Sequence, residues 1–354
     1  VTTLTTFPFN KWLDLPRYRG QRVERFRFEW RNGLTNETLG WLQPLKDSSP
    51  PTLSHDTSSS IKRRFSIALG VRDTAAINPI TDRILPWLEI GDDVWPLGRY
   101  MFTDDTRVES TRGQRGTFVL MDEGFAIDQE LTTNYASTQA VSSAVSGLVD
   151  QVNFITQQLE ATEFAATGAF TAGSTRGQAL DAYSQQGDYF PYWMDHTGLF
   201  RMIRTFDPGK EIPNLDYDEN PRVRRGSIAR SSDVLNAPNR FVVIGNGGES
   251  ATAAISGVYD VPPSAPHSIV NRGFIQQKTE QLQVTSSNQA AAVARNMGIR
   301  QTIYERISFE TPIDPRHDSY NVVRLQDANW LELSWSITMM QGAPMQHLVR
   351  KAYE

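Results

Sequence analysis

GSTRGQALDAYSQQGDYFPYWMDHTGLFRM, residues 173–202, carries three local signals in one short segment. Thr175 followed by Gln178 fits a capping box, in which a hydroxyl and an amide reciprocally satisfy free N–H groups at a helix start. Ala179, Leu180, Ala182 and Tyr183 then offer a short apolar face, and Gly187 is placed to supply a left-handed stop. Residues 189–194 and 199–205 are two aromatic or apolar runs separated by Asp195-His196-Thr197-Gly198. Those four have turn composition: an Asp that bonds the backbone beyond it and a Gly that accepts positive φ. The segment reads as helix, turn and β-hairpin, with His196 exposed at the hairpin tip. The competing reading makes Asp195 and His196 a catalytic couple. Such a couple also needs a nucleophile and an orienting group, and the nearby Ser174 and Ser184 sit in no nucleophile elbow. The turn is the simpler account.

Upstream the chain is β in character. Residues 25–30 (RFRFEW) alternate, with Phe26, Phe28 and Trp30 on one face. Residues 61–69 (IKRRFSIAL) place Ile61, Phe65, Ile67 and Leu69 in a similar pattern. Between them, residues 46–60 (KDSSPPTLSHDTSSS) are rich in Ser, Pro and Asp and are expected to form a loop or an edge. Trp95-Pro96-Leu97-Gly98 punctuates the next stretch, and residues 99–103 and 116–121 read as an antiparallel pair. No βαβ rhythm occurs in this third, so no parallel sheet is expected there.

The middle changes period. Val141, Val145, Leu148, Val152, Ile155 and Leu159 form a helical stripe, predicted to hold to about Gln151 with Ser137 as its cap. Gly147 interrupts the sustained heptads a coiled coil requires. Beyond residue 206, residues 240–244 and 251–259 flank a glycine-rich turn. A further helix, capped by Ser286 with Gln289 three residues on, buries Ala290, Val293, Ala294 and Met297. Strands follow at 304–310 and 330–337, with Leu331, Leu333, Trp335 and Ile337 expected to share one face. Gln341-Gly342-Ala343-Pro344 turns the chain into a last strand near 346–351.

Composition bounds the function. A length of 354 residues allows two or three domains, and 39% hydrophobic with 21% charged residues marks a globular chain. The net charge of −5 provides no electrostatic footprint for nucleic acid. Zero cysteines exclude disulfides, thiol nucleophiles and cysteine-ligated zinc. Arg222, Arg224 and Arg225 follow Asp216, Asp218 and Glu219, read together as a solvated loop. No stretch approaches the length of a membrane span. The opening VTTLTTFPFNKW has neither a basic nor an apolar signal region, so no cleaved signal peptide is expected.

Several motifs imitate chemistry. FVVIGNGG, residues 241–248, resembles a dinucleotide fingerprint, but Ser250 stands where the third glycine belongs and the sequel reads as a strand. His55, His196, His267, His317 and His347 are scattered without ligand spacing, so no metal site is expected. Asp216-Tyr217-Asp218-Glu219-Asn220 starts like a calcium loop, but Pro221 replaces its sixth-position glycine. Asp92-Asp93, Asp104-Asp105 and Asp122-Glu123 are adjacent pairs, which on a strand point to opposite faces rather than across a cleft. No catalytic, cofactor-binding or metal-binding residue is assigned, and neither a cofactor nor enzyme activity is expected.

Five stretches, in order, carry a family likeness: LSHDTSSSIKRRFSIAL (53–69), GDDVWPLGRYMFTD (91–104), FTAGSTRGQALDAYSQQGDYFPYWMDHTGLFRM (170–202), SSDVLNAPNRFVVIGNG (231–247) and WLELSWSITMMQGAPMQHLVRK (330–351). With them the chain resembles the central tail-tip (baseplate) hub proteins, or minor tail proteins, of long-tailed phages that infect actinobacteria. One departure is Ala237-Pro238, inserted between Asn236 and Asn239-Arg240, where the resemblance would run straight from Asn to Arg. The resemblance implies an α+β, mainly antiparallel β fold with two β-barrel-like hub domains and a smaller α+β insertion. It divides the chain into a first barrel-like domain (1–132), an α+β domain with capped helix and hairpin (133–206), a second barrel-like domain with a helix near 287–300 (207–303), and a C-terminal β segment (304–354). It further implies a homotrimer at the virion tail tip, assembled in the host cytoplasm, that meets the distal tail protein ring, the tape-measure protein C-terminus and other tail-tip or fibre proteins. Neither sequence-specific nucleic-acid binding nor stable membrane insertion is expected of it. An alternative is a tail protein that binds or degrades cell-wall glycans, to which eight tryptophans would contribute stacking surfaces. Trp30 and Trp335, however, occupy alternating strand positions that suit a core.

Overall fold

The computed structural model describes residues 23–353, apart from 112, 220, 221, 234 and 246–254. The first third forms β1 (Glu24–Asn32), β2 (Thr38–Leu42), β3 (Thr52–Asp56), β4 (Arg63–Leu69), α1 (Val71–Ala76), β5 (Asp82–Ile90), β6 (Asp93–Pro96), β7 (Tyr100–Ser110), β8 (Gly113–Asp122) and α2 (Gly124–Ile127). The middle holds β9 (Tyr135–Ala136), α3 (Val141–Val149), β10 (Gln157–Leu159), β11 (Ala169–Phe170), α4 (Arg176–Gln186), β12 (Trp193–Met194) and β13 (Phe200–Met202). The last part contains β14 (Leu215–Asp216), β15 (Ala229–Ser232), β16 (Arg240–Gly245), β17 (Ser256–Asp260), α5 (Ile269–Arg272), β18 (Gln277–Leu282), α6 (Ser287–Gln301), β19 (Glu305–Thr311), β20 (Val322–Leu325), β21 (Ala328–Thr338) and β22 (Met345–Lys351).

The fold is mainly antiparallel β with few helices. Its large sheet runs β15-β19-β22-β21-β3-β4-β8-β7-β5-β1-β2, with β6, β14 and β20 paired off this path. Alternation drives the strands: in β4 the side chains of Phe65, Ile67 and Leu69 are buried while Arg64 is exposed. Phe65 packs between Phe28 and Tyr100, with ring centroids 5.9 and 5.4 Å away, at the centre of the first apolar core. Among the described residues every pairing within the first third is antiparallel, as its sequence led us to expect. Parallel pairs occur later, at β10–β13, β14–β20 and β16–β18.

Several local expectations are corrected. Residues 46–60 contain β3, which is neither loop nor edge but lies between β4 and β21 inside the sheet. Its own alternation buries Leu53 and His55, a pattern hidden by the flanking Ser and Pro. The stripe from Val141 is helix to Val149, close to the expected end near Gln151, and Leu159 lies in a separate strand. Ser137 does not cap that helix; the cap position is Ala140, without a side-chain bond. Gly187 is not left-handed (φ −89), and Asp188 takes the positive φ of 59 instead. The boxed cap at Thr175 and Gln178 is present with both reciprocal bonds, and Ser286 caps α6 by accepting from the Gln289 amide.

The sheets do not follow the expected division at residues 206 and 303. Strands β14 and β15 pair with the C-terminal strands β20 and β19. Strands β16, β17 and β18 form a separate sheet against which α6 packs Val293, Ala294 and Met297. Because β21 pairs with β3, the C-terminal strands also continue directly into those of the first third. Arg350 of β22 joins the two parts by donating to the carbonyls of Thr302 and Ile299 at the α6 C-terminus.

Candidate functional site

The hairpin expected from residues 189–205 forms, with Trp193 opposite Arg201 and Met194 opposite Phe200. At its tip the Asp195 N–H donates to Leu199 O (2.9 Å) and the Gly198 N–H to Asp195 O (3.0 Å), with Gly198 at φ 82. One Asp195 carboxylate oxygen accepts from the Thr197 amide (2.8 Å), the Thr197 hydroxyl (2.6 Å) and the Leu199 amide (3.1 Å). The other accepts from Arg201 Nε at 2.6 Å. Burial works to raise the Asp195 pKa, but His196, Arg201 and Thr197 outweigh it and hold the carboxylate below its usual range. These bonds build the turn. The Ser184 hydroxyl donates to Asp181 O within α4.

His196 is not exposed, contrary to the expectation for a hairpin tip. Its side chain is 13% exposed, 3.3 Å from Arg63 Nη2 and 3.9 Å from Asp318 Oδ2. Arg63 is 1% exposed and pairs with Asp318 at 2.5 Å. The tip of the middle module is thus pressed into a charged junction between β4 of the first third and the loop before β20. Burial, foremost, lowers the His196 pKa, opposed by Asp318. Beside this junction Asp122 accepts from the amides of Arg63 and Gly124, both at 2.9 Å, and burial raises its pKa to about 6. Its neighbour Glu123 faces other partners, Arg99 at 3.3 Å and Arg83 at 3.8 Å; it stands at the helical start of α2, beyond the end of β8, so the split is made by the strand-to-helix turn and not by strand alternation.

A second cluster escaped the sequence reading. A bulge between Glu332 and Ser334 in β21 shifts the register, so that Trp330, Glu332, Trp335 and Ile337 lie opposite Lys351, Val349, His347 and Met345. Leu331 faces the other way, in a core with Phe190 and Trp193. The expected face of Leu331, Leu333, Trp335 and Ile337 is therefore wrong at its first two positions. Glu332 enters the interior between two of the histidines described above as scattered, 2.7 Å from His317 Nδ1 and 3.0 Å from His347 Nδ1. The far nitrogens, Nε2, lie 2.7 Å from Tyr217 Oη and 2.9 Å from Thr311 Oγ1. One donor atom from each of the three side chains lies within 4.8 Å of the others. Each is also engaged in a hydrogen bond at ordinary distance, so that with Tyr217 and Thr311 they form a bonded chain. The signal in the sequence was Glu332 itself, a charge inside the apolar run 330–335.

An open groove of about 1010 Å³ crosses the face of β19, β22, β21, β3 and β4, with Ser54, Ser308, Ser334 and Ser336 among its lining residues. Lys62 borders it, but its ammonium donates to the carbonyls of Thr57 and Ser59, and burial lowers its pKa to about 8. The would-be calcium run is a turn brace. Asp216 accepts from the amides of Asp218 and Glu219, and Asp218 accepts from those of Gln326 and Asp327. Asn220 and Pro221 lie outside the described residues. Of the basic residues beyond them, Arg224 and Arg225 are exposed, as in a solvated loop, with Arg224 paired to Glu310 at 2.9 Å, while Arg222 is half-buried, 3.9 Å from Asp314. In FVVIGNGG, the strand through Gly245 lies between antiparallel β17 and parallel β18, while the glycine-rich turn and Ser250 lie outside the described residues, as does VTTLTTFPFNKW.

No family model and no curated protein matches this sequence. Solved structures do share its fold. The chain is similar to a tail protein from Neisseria meningitidis MC58 (TM-score 0.62, 11% identity), covering 92% of this chain and 97% of that one. It is similar to the prophage tail protein gp18 from Listeria monocytogenes EGD-e (TM-score 0.62, 6% identity; 92% and 94% covered). It is also similar to the 43 kDa tail protein of prophage MuSo2 from Shewanella oneidensis (TM-score 0.58, 11% identity; 92% and 98% covered). At such identities the likeness is one of fold. None of these sources is an actinobacterium, so the host expected from the sequence resemblance gains no support from them.

Proposed function

We propose that this chain is a structural, non-enzymatic component of a phage tail, the hub at the tip, acting as a homotrimer. The observation that carries the reading is the extent of the fold likeness. It spans 92% of this chain and at least 94% of each of three tail proteins, so it takes in the continuous sheet together with the middle module. The polar groups that invited a catalytic reading support it too, since Asp195, Asp122 and Asp218 serve turns and junctions. In the proposed trimer, two β units per chain, one from each side of the middle module, give six around the tail axis. The ring joins the tube, through the distal tail protein ring, to the tip. It lies beneath the C-terminus of the tape-measure protein and forms part of the DNA exit path. A neutral to acidic lining suits passage, because strong phosphate contacts would hold the DNA, and the net charge of −5 is compatible with it. An actinobacterial host follows from the sequence resemblance alone.

The glycan alternative receives no comparable support. Trp193, Trp330 and Trp335 are buried, and Trp41, 44% exposed, has the Arg27 guanidinium 4.0 Å from its ring centroid. Cryo-EM of tail tips tests the proposal. Three copies around the tail axis are expected; six copies, or three confined to peripheral fibres, would overturn it.

A further inference from the structure

We propose that Glu332 is a neutral carboxylic acid at the centre of a one-directional chain of five hydrogen bonds, and that this chain is a pH-sensitive lock on the C-terminal strands, closed while Glu332 keeps its proton and loosened by alkali. The contacts run Tyr217 Oη–His317 Nε2 (2.7 Å), His317 Nδ1–Glu332 Oε2 (2.7 Å), Glu332 Oε1–His347 Nδ1 (3.0 Å), His347 Nε2–Thr311 Oγ1 (2.9 Å) and Thr311 Oγ1–Pro312 O (2.9 Å). The last of these fixes the direction. A carbonyl only accepts, so Thr311 gives its single hydrogen to Pro312 O and must accept from His347 Nε2–H. A neutral His347 then presents a lone pair at Nδ1, which the Glu332 hydroxyl fills. At the other end Tyr217 donates to His317 Nε2, and His317 Nδ1–H donates to the second Glu332 oxygen. Five contacts need five hydrogens, and the neutral Tyr, His, Glu, His and Thr side chains supply one each.

The same five hydrogens could be placed with the Glu332 proton on His347, as a carboxylate–imidazolium pair. The side chains of His317, Glu332 and His347 are all 0% exposed, and separated charge in so dry a site carries a desolvation penalty that the neutral arrangement avoids. The surroundings point the same way. From the loop before β20 come Asp314, paired with Arg316 at 2.5 Å and 3.9 Å from Arg222, and Asp318, paired with Arg63 of β4. From β3 comes His55, bonded to Ser319 and stacked on Trp335, and from the segment after β14 comes Tyr217. The nearby acids Asp314 and Asp318 oppose a second negative charge at Glu332, and each cation among these groups is already matched to a carboxylate. In keeping with this, burial pushes Glu332 up to about 7, and burial likewise pushes His317 and His347 down to about 4.

The sign of the pH effect follows. Glu332 is raised in the fold above its ordinary value of 4.5, so its contribution is complete below that value and is lost as pH rises through about 7. The histidines are depressed below 6.5, so theirs is present above that value and is lost as pH falls towards 4.

The test compares the wild-type chain with Glu332→Gln in urea unfolding from pH 6 to pH 9. The amide reproduces the neutral acid, donating to His347 Nδ1 and accepting from His317 Nδ1–H, but does not ionise. The expected result is a Glu332→Gln midpoint no lower than wild type at pH 6, where part of the Glu332 contribution is already lost, and an excess that is larger at pH 9. A variant that is much weaker at pH 6, or that fails to fold, would overturn the proposal, because a carboxylate–imidazolium pair or a bound metal cannot use the amide. Nitrogen-15 spectra of the wild-type histidines decide independently. Opposite neutral tautomers are expected, with hydrogen on Nδ1 of His317 and on Nε2 of His347. An imidazolium signal at pH 7, or stoichiometric zinc in the purified protein, would sink the idea.

Discussion

Replacing Asp318 by Asn should loosen the junction into which the middle module inserts. Arg63 keeps 1% of its side chain in solvent and Asp318 keeps 18%, and their contact is 2.5 Å. Asn preserves an accepting oxygen but removes the charge, leaving the guanidinium in contact with the ring of His196, whose pKa burial lowers. Removing one partner from a buried pair costs about 3–5 kcal/mol. Because Asp318 is partly solvated and the hydrogen bond survives, we expect the lower end, about 3 kcal/mol, roughly a hundredfold in the folding equilibrium. Urea unfolding followed by tryptophan fluorescence is a suitable assay, since the Trp335 ring lies 5.5 Å from the Arg63 guanidinium carbon. Hydrogen exchange at residues 195–199 should rise in parallel, because the tip loses its anchored neighbour. Adding Arg63→Met to Asp318→Asn should recover part of the loss, as the unpaired buried guanidinium is then removed. A loss below about 1 kcal/mol for Asp318→Asn, the range of surface ion pairs, would refute the argument that this pair holds the junction.

Gly257→Ala should lift α6 from its sheet, because a Cβ there would stand 2.2 Å from both the carbonyl carbon of Ala290 and the amide nitrogen of Ala291. Overpacking of this kind costs about 1–3 kcal/mol, while Gly40→Ala, with its nearest contact at 3.7 Å, is a near-neutral control in the same denaturation series. Gly198→Val combines φ 82 with a Cβ 2.4 Å from Arg99 Cδ, and thermal unfolding should report a loss of about 1–3 kcal/mol. His196→Ala, which a free hairpin tip would tolerate without effect, should cost about 1 kcal/mol by removing a contact to Arg63. Particles carrying it should still assemble; particles that assemble but fail to infect would revive a catalytic role for the histidine.

The features legible in the sequence are those whose energetics close within a few residues. The box at Thr175 and Gln178, the cap at Ser286 and the Asp195–Gly198 turn each join groups at most four positions apart. Alternation likewise announced β1 and β4, because a strand with one buried face repeats every two residues whatever its partner. The candidate sites were decided elsewhere. Thr52–Asp56 became a central strand because β21, some 280 positions away, supplies its ladder, and the Ser- and Pro-rich flanks record nothing of that partner. His196 carries the same local turn whether it meets solvent or Arg63; only the docking of the middle module against β4 makes it a buried contact. Glu332 needed the bulge that turns it inward, and its chain needed Tyr217, Thr311, His317 and His347 brought together from four separate segments. Local hydrogen bonds are written in local spacing, whereas the burial that decides which side chain keeps or sheds a proton exists only once distant strands have paired.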